Sequence, residues 1–129
     1  MKLHQESNAE RNTITAYGDE AGRDYVDVNK VRFTSSLLVY PDGPVIPWDA
    51  RQFAALSVND FAALADAAPE LVLLGTGKRL RFAHPSLYAA LSAKRIGVET
   101  MDVSAACRTF NILVTEGRRV AAALLIETD

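Results

Sequence analysis

The chain has 129 residues, of which 49% are hydrophobic and 23% are charged, with 14 Lys and Arg against 16 Asp and Glu. The net charge of −2 argues against general binding to nucleic acid, which requires clustered cationic side chains. The composition excludes a disordered chain, and the single cysteine, Cys107, excludes an internal disulfide. We therefore expect one domain over residues 13–129, preceded by a flexible polar segment over residues 1–12.

The longest apolar run, residues 120–126, is far shorter than the roughly 18–20 residues that a membrane-spanning helix needs. The first residues also lack the apolar core of a secretory signal peptide. A lone cysteine fits a reducing compartment. The sequence therefore predicts a cytoplasmic protein that does not insert into a membrane.

The first half of the sequence predicts short antiparallel strands. Residues 13–17 and 25–28 alternate between apolar and polar side chains, and a two-residue turn separates the second of them from residues 31–33. We predict a β-meander here, with residues 19–23 as a polar loop. Residues 36–40 predict a further strand, which ends at a turn rich in proline and glycine.

The second half alternates between helical and extended patterns. Before this half begins, Pro47 argues against a central strand around residues 45–48. Ser57 is predicted to cap the first helix, and Pro69 to stop it. The predicted helices span residues 57–68, 85–96 and 104–116, and the predicted strands span residues 71–74, 80–82, 98–101 and 120–126.

Residues 71–74 and 120–126 are apolar without strict alternation, which is typical of strands that are covered on both faces. Helices that alternate with such strands indicate a sheet with helices on its faces. The sequence therefore predicts an α/β fold. We expect a single three-layer domain with a mixed central β-sheet, flanking helices and an additional N-terminal antiparallel β layer.

A turn containing two glycines follows the first buried strand, at Gly75, Thr76 and Gly77. It is no dinucleotide-binding fingerprint, because the third glycine is missing, and no P-loop, because Arg79 follows Lys78 where Ser or Thr is required. Two interpretations stay open. Either the glycines permit a turn with positive φ, or their N–H groups, with Lys78 and Arg79, form an anion-binding nest.

A polar stripe lies on the last predicted helix, where Arg108 and Asn111 are spaced i, i+3. The stripe is either a solvated helix face, or a pair that organises neighbouring loops or binds an anion through forked hydrogen bonds. Open α/β sheets hold ligands beyond the carboxyl ends of their strands, so we expect a site between the turn and the stripe. The candidate ligand-binding or site-organising residues are Gly75, Thr76, Gly77, Lys78, Arg108 and Asn111.

Cys107 is interpreted as a packing residue, although it lies near a helix start, where a thiolate is stabilised. A nucleophilic role would require His84 or His4 as the base, and no spacing supports either pairing. The sequence has no His or Cys pair with metal-ligand spacing. We predict no catalytic residue, no metal site and no cofactor.

Several segments, taken in order, resemble one widespread family of small proteins. The family includes the mitochondrial assembly factor of respiratory complex I and the adipogenesis-associated domain protein of animals. The resemblance covers about residues 12–127. It rests on residues 36–39, Pro41, Trp48, residues 74–77, Phe82, Pro85, residues 97–102, residues 105–111 and residues 116–122.

The resemblance implies a compact domain with a mixed central sheet, helices and an extra β layer, and it implies no established reaction. The sequence departs from the family pattern at two positions. Val103 stands where relatives often have Thr, so the helix cap shifts to Asp102 or Ser104. Phe110 stands where Tyr is common, so that position supplies no hydroxyl.

Three functional hypotheses follow. The first, which we favour, is a protein-interaction or assembly factor, by resemblance for a respiratory or membrane-associated complex, with a protein partner. The second is a binding module for a small anionic ligand at the site described above. The third is an enzyme that uses Cys107 or a carboxylate. An exposed apolar patch would favour the first, and a concave site would favour the second.

Overall fold

A computed structural model describes residues 11–128 of the chain. Two sheets form its framework: an antiparallel sheet of three strands in the order β1-β2-β3, and a mixed sheet of five strands in the order β5-β4-β8-β6-β7. The strands are β1 (Ile14–Glu20), β2 (Arg23–Val28), β3 (Val31–Phe33), β4 (Leu37–Val39), β5 (Ile46–Pro47), β6 (Leu71–Gly75), β7 (Gly97–Met101) and β8 (Val120–Leu124). This architecture confirms the predicted α/β fold with a mixed central sheet and an added antiparallel layer.

Helices connect and cover the strands. Short 3-10 turns lie at Phe53–Ala55, Val58–Phe61 and Pro85–Tyr88, and the last two continue into α1 (Ala62–Ala67) and α2 (Ala89–Ala93). The longest helix is α3, Val103–Thr115, which Asp102 caps by accepting a hydrogen bond from the Ala105 N–H at 2.8 Å. Asp102 is one of the two caps that the sequence allowed.

The core is divided between the two faces of the five-stranded sheet. On one face, α1 and α2 pack with Trp48 and Phe61. On the other face, α3 and the three-stranded sheet enclose a second cluster that contains Leu73 and Phe110. Strands β6 and β8 pair in parallel and are buried on both faces, as their apolar sequences predicted.

The strand predicted at residues 80–82 is wrong. These residues are irregular and pair with no strand of the described chain. The Arg81 N–H instead donates to the hydroxyl of Thr76 at 2.9 Å, so a side chain takes the place of a strand partner. Phe82 is 76% exposed.

Three predicted boundaries also differ from the structure. Residues 19–23 are not a loop, because β1 and β2 continue to a tight turn in which the Asp19 carboxylate accepts the Gly22 N–H at 3.0 Å. Strand β8 ends at Leu124, although Leu125 and Ile126 stay buried. The helix predicted at residues 85–96 ends at Ala93.

The N-terminal boundary is partly visible. Residues 1–10 of the segment predicted to be flexible lie outside the described residues. Asn12, at the end of that segment, is buried, and its side-chain amide donates to the carbonyl oxygens of Tyr40 and Gly43 at 2.7 and 2.9 Å. The packed structure therefore includes Asn12.

Candidate functional site

Gly75, which ends β6, and Gly77, in the turn that follows, have different physical roles. A Cβ at Gly75 would lie 3.2 Å from the Ala106 Cβ and 3.3 Å from the Val103 Cα, so Gly75 permits close packing of α3 on the sheet. Gly77 has a φ of +92°, which favours glycine. The positive-φ interpretation therefore applies to Gly77, and close packing explains Gly75.

Thr76, between these glycines, is fully buried and forms hydrogen bonds within the protein. Its hydroxyl donates to the Arg79 carbonyl oxygen at 2.8 Å and accepts the Arg81 N–H at 2.9 Å. Its own N–H donates to the Met101 carbonyl oxygen at 2.9 Å. Thr76 therefore fixes the path of the loop that follows β6.

Lys78 is held by carboxylates of the β1–β2 hairpin. Its Nζ lies 3.0 Å from an Asp19 carboxylate oxygen and 3.6 Å from an Asp24 oxygen. The hydrogen bond from Lys78 lowers the pKa of Asp19, and the same bond raises the pKa of Lys78. Lys78 is therefore a charge that the protein already balances, and the anion predicted to bind there would meet two carboxylates.

Arg108 contacts the same hairpin. Its Nη1 donates to the Tyr17 hydroxyl at 3.2 Å, and this hydrogen bond raises the pKa of Arg108. Because Tyr17 lies on β1, Arg108 joins α3 to the three-stranded sheet.

Asn111 makes the tightest link between these two elements. Its Oδ1 accepts the Ile14 N–H at 2.9 Å, and its Nδ2 donates to the Ile14 carbonyl oxygen, also at 2.9 Å. Both polar groups of the side chain are thus engaged by one backbone residue. This geometry favours an organising role for Asn111.

A cavity of about 410 Å³ lies between the hairpin, the turn after β6 and the start of α3. Gly77 and Lys78 are the two predicted site residues that line it, while Arg108 reaches its wall through Tyr17. The hairpin wall could not be predicted from the sequence, because no local signal relates β1 to a loop about 60 residues later. The lining residues are Tyr17, Gly18, Asp19, Asp24, Gly77, Lys78, Val103, Ser104, Leu125 and Ile126.

The described residues give no support to a nucleophile or a metal centre. Residues 11–128 contain no group of three His, Cys, Asp or Glu side chains that could hold a metal ion. His84 accepts the Ser86 N–H at 3.1 Å as a helix cap, and His4 lies outside the described residues. Cys107 is buried in the core cluster beneath α3.

We expect Cys107 to react slowly with an alkylating reagent in the native protein. Burial raises the pKa of its thiol to about 12, so at pH 8 the thiolate should be on the order of a thousandfold rarer than for a free cysteine. The measurement is the rate of iodoacetamide modification, with the chain unfolded in urea as the control. Equal rates in the two states would contradict a packing role.

The sequence of the chain is similar to those of several known proteins. It is 34% identical over 83 residues to NADH dehydrogenase [ubiquinone] 1 alpha subcomplex assembly factor 3 of Mus musculus, a match that covers 63% of this chain and 45% of that protein. It is 35% identical over 91 residues to an uncharacterised protein of Rhodobacter capsulatus, covering 69% of this chain and 67% of that protein. The chain thus spans about half the length of the assembly factors that it matches.

A solved structure agrees over a larger part of the chain. The crystal structure of a Bordetella parapertussis protein superposes with a TM-score of 0.81 at 45% sequence identity, covering 89% of this chain and 95% of that one. In residues 11–128, no helix is long and apolar enough to cross a membrane. The family model described as "Protein of unknown function (DUF498/DUF598)" matches residues 18–125. The chain therefore belongs to this DUF498/DUF598 family, in agreement with the resemblance of its sequence segments.

Proposed function

We propose that this protein is an interaction factor that promotes assembly of a respiratory or other membrane-associated complex, acting from the cytoplasm. The observation that carries the proposal is a loop that presents two apolar side chains to solvent. Phe82 is 76% exposed and Leu80 is 47% exposed, and both follow the turn after β6. The names of the matched assembly factors support the same class of function.

The backbone of this loop is held in place on both sides of Leu80, at Arg79 and at Arg81. The Thr76 hydroxyl bonds to the backbone of Arg79 and Arg81, as described above. The Arg81 guanidinium donates to the Thr76 carbonyl oxygen at 2.6 Å and to a Glu127 carboxylate oxygen at 3.0 Å. It also lies over the Phe53 ring, 4.6 Å from the centroid.

A fixed loop with an exposed aromatic side chain is suited to binding a protein. Side-chain and loop ordering on association costs free energy, and a loop already held by hydrogen bonds loses less of it. Aromatic side chains at the centre of an interface contribute much of the binding free energy. Leu80 and Phe82 on either side of the fixed Arg81 would therefore form the contact with the partner.

The test is deletion of the encoding gene, followed by measurement of assembled NADH dehydrogenase in membranes by native electrophoresis and in-gel activity. We expect the deletion to lower the assembled complex several-fold and the wild-type gene to restore it. The double variant Leu80→Ser/Phe82→Ser should fail to restore it. The matched control, Val31→Ser/Ile112→Ser, changes two exposed apolar residues outside the loop and should restore it fully.

Two outcomes would overturn this proposal. One is a deletion that leaves NADH dehydrogenase and every other membrane complex resolved by native electrophoresis at its normal level. The other is a loop variant that restores assembly as well as the wild type does. Because both loop residues are exposed, the variant protein is expected to fold, and its circular dichroism and urea unfolding curve would establish that it does.

A further inference from the structure

The cavity lined by Gly77 and Ser104 lies where an α/β sheet holds ligands. Strands β7, β6 and β8 are neighbours and run parallel, and the cavity is at their carboxyl ends. Gly77 follows β6, Ser104 follows β7 and Ile126 follows β8. The residues that follow three neighbouring parallel strands thus line one cavity.

The connections that leave β6 and β7 cover opposite faces of the sheet. The segment after β6 contains α2, whose Leu91 packs in the cluster with Trp48. The segment after β7 is α3, whose Phe110 packs in the cluster on the other face. This change of face defines a topological switch point, and open α/β sheets bind ligands in the crevice at such points.

The interior surface of the cavity is suited to an apolar body with one polar group. Val103 and Ile126, which pack on the α3 face of the sheet, supply aliphatic side chains, and Tyr17 supplies an aromatic ring. Hydroxyl groups are present on Tyr17, which Arg108 contacts, and on Ser104 in the first turn of α3. The volume of about 410 Å³ is within the range of small-molecule sites.

The charges at the cavity decide the charge of the ligand. Asp19 and Asp24 share the ammonium group of Lys78, and the side chain of Arg108 bonds to Tyr17. An anion at Lys78 would be repelled by both carboxylates, and a cation would have to displace Lys78 from them. Arg108 keeps its positive charge on the Tyr17 hydroxyl, but it is not among the lining residues. A charged ligand would therefore exchange its water for Lys78 and carboxylates that already hold one another, and it would pay a desolvation cost that a neutral ligand avoids.

We propose that this cavity binds a small uncharged molecule that has an aromatic or aliphatic body and a single hydroxyl, carbonyl or amide group. The polar group of the ligand bonds to the hydroxyls of Ser104 and Tyr17, and the body fills the space against Val103 and Ile126. The site uses neither Leu80 nor Phe82, so it is independent of the assembly function proposed above.

Three probes that share one ring test the proposal: benzyl alcohol, benzoate and benzylamine, titrated into the ¹⁵N-labelled full chain. We expect benzyl alcohol to give saturable amide shifts at Gly18, Gly77 and Ser104. Its dissociation constant should be at least about fivefold lower than those of the two charged probes, because only it avoids the desolvation cost of a charge.

Variants that fill the cavity with a larger side chain test whether benzyl alcohol binds there. Ser104→Phe should weaken benzyl alcohol binding at least tenfold, and the smaller Ser104→Leu should weaken it too if the larger variant folds poorly. The control Ile112→Phe adds the same ring on the exposed side of the same helix and should leave binding unchanged. Absence of saturable shifts at these amides, tighter binding of benzoate or benzylamine, or unchanged binding by both Ser104 variants would each overturn the proposal.

Discussion

Replacing Leu73 by alanine is expected to lower the free energy of unfolding by about 2–5 kcal/mol, the usual cost of truncating a buried leucine. Leu73 is fully buried on β6, where its neighbours across the ladders are Glu99 on β7 and Ala122 on β8. Its side chain packs in the cluster beneath α3, among other fully buried apolar side chains. The measurement is urea unfolding followed by circular dichroism.

The control for Leu73 is Ile112→Ala on α3. Ile112 is 58% exposed, so its truncation removes little buried surface, and alanine has the higher helix propensity. We expect its unfolding free energy to stay within about 0.5 kcal/mol of the wild type. A Leu73→Ala variant that is as stable as this control would contradict the central position of β6.

The strands at the centre of the sheet were predictable because the local composition of each segment indicates that it is buried. Strand β8 consists of apolar residues throughout, and β6 has four before Gly75. A strand covered on both faces needs no polar positions, so the run of apolar side chains is itself the signal. Pro47 argued against a central strand, because proline cannot donate a ladder hydrogen bond, and β5 is indeed an edge strand.

The loop after β6 was not predictable, because its conformation depends on contacts distant in sequence. Residues 80–82 have the apolar and charged alternation of a strand, yet the Arg81 guanidinium bonds to Glu127, 46 residues away. The Phe53 ring beneath that guanidinium belongs to a third segment, the 3-10 turn that begins at Phe53. These contacts hold the segment away from the sheet and leave Phe82 in solvent.

The candidate site shows the same division between local and distant signals. The helical spacing of Arg108 and Asn111 indicated that they act on one face, and the structure places both against β1. Their partners, Tyr17 and Ile14, are more than 90 residues away in sequence. Spacing on a helix predicts which side chains lie on one face, but it does not predict which residues elsewhere in the chain they will contact.

Replacing Asn111 by leucine should have the second large effect, a loss of about 2–4 kcal/mol of unfolding free energy. Leucine keeps the branched shape of asparagine but leaves the Ile14 N–H and carbonyl groups without their partner, and each such buried group costs roughly 1–3 kcal/mol. Ile14 is itself buried, so water does not readily replace the amide. Urea unfolding measures the loss, with Thr115→Ala, one turn away and exposed, as the control.

The site of the damage should be visible by hydrogen exchange. With the Asn111 side chain gone, β1 is held to α3 by fewer polar contacts, and the Ile14 amide should exchange at least tenfold faster than in the wild type. Tyr17 and Asp19 on β1 form the hairpin wall of the cavity. Looser docking of β1 should therefore also weaken benzyl alcohol binding. The Thr115→Ala control should retain both protection and binding. Unchanged protection of the Ile14 amide in Asn111→Leu would show that apolar packing alone docks the three-stranded sheet, and that Asn111 is an ordinary residue of a solvated helix face.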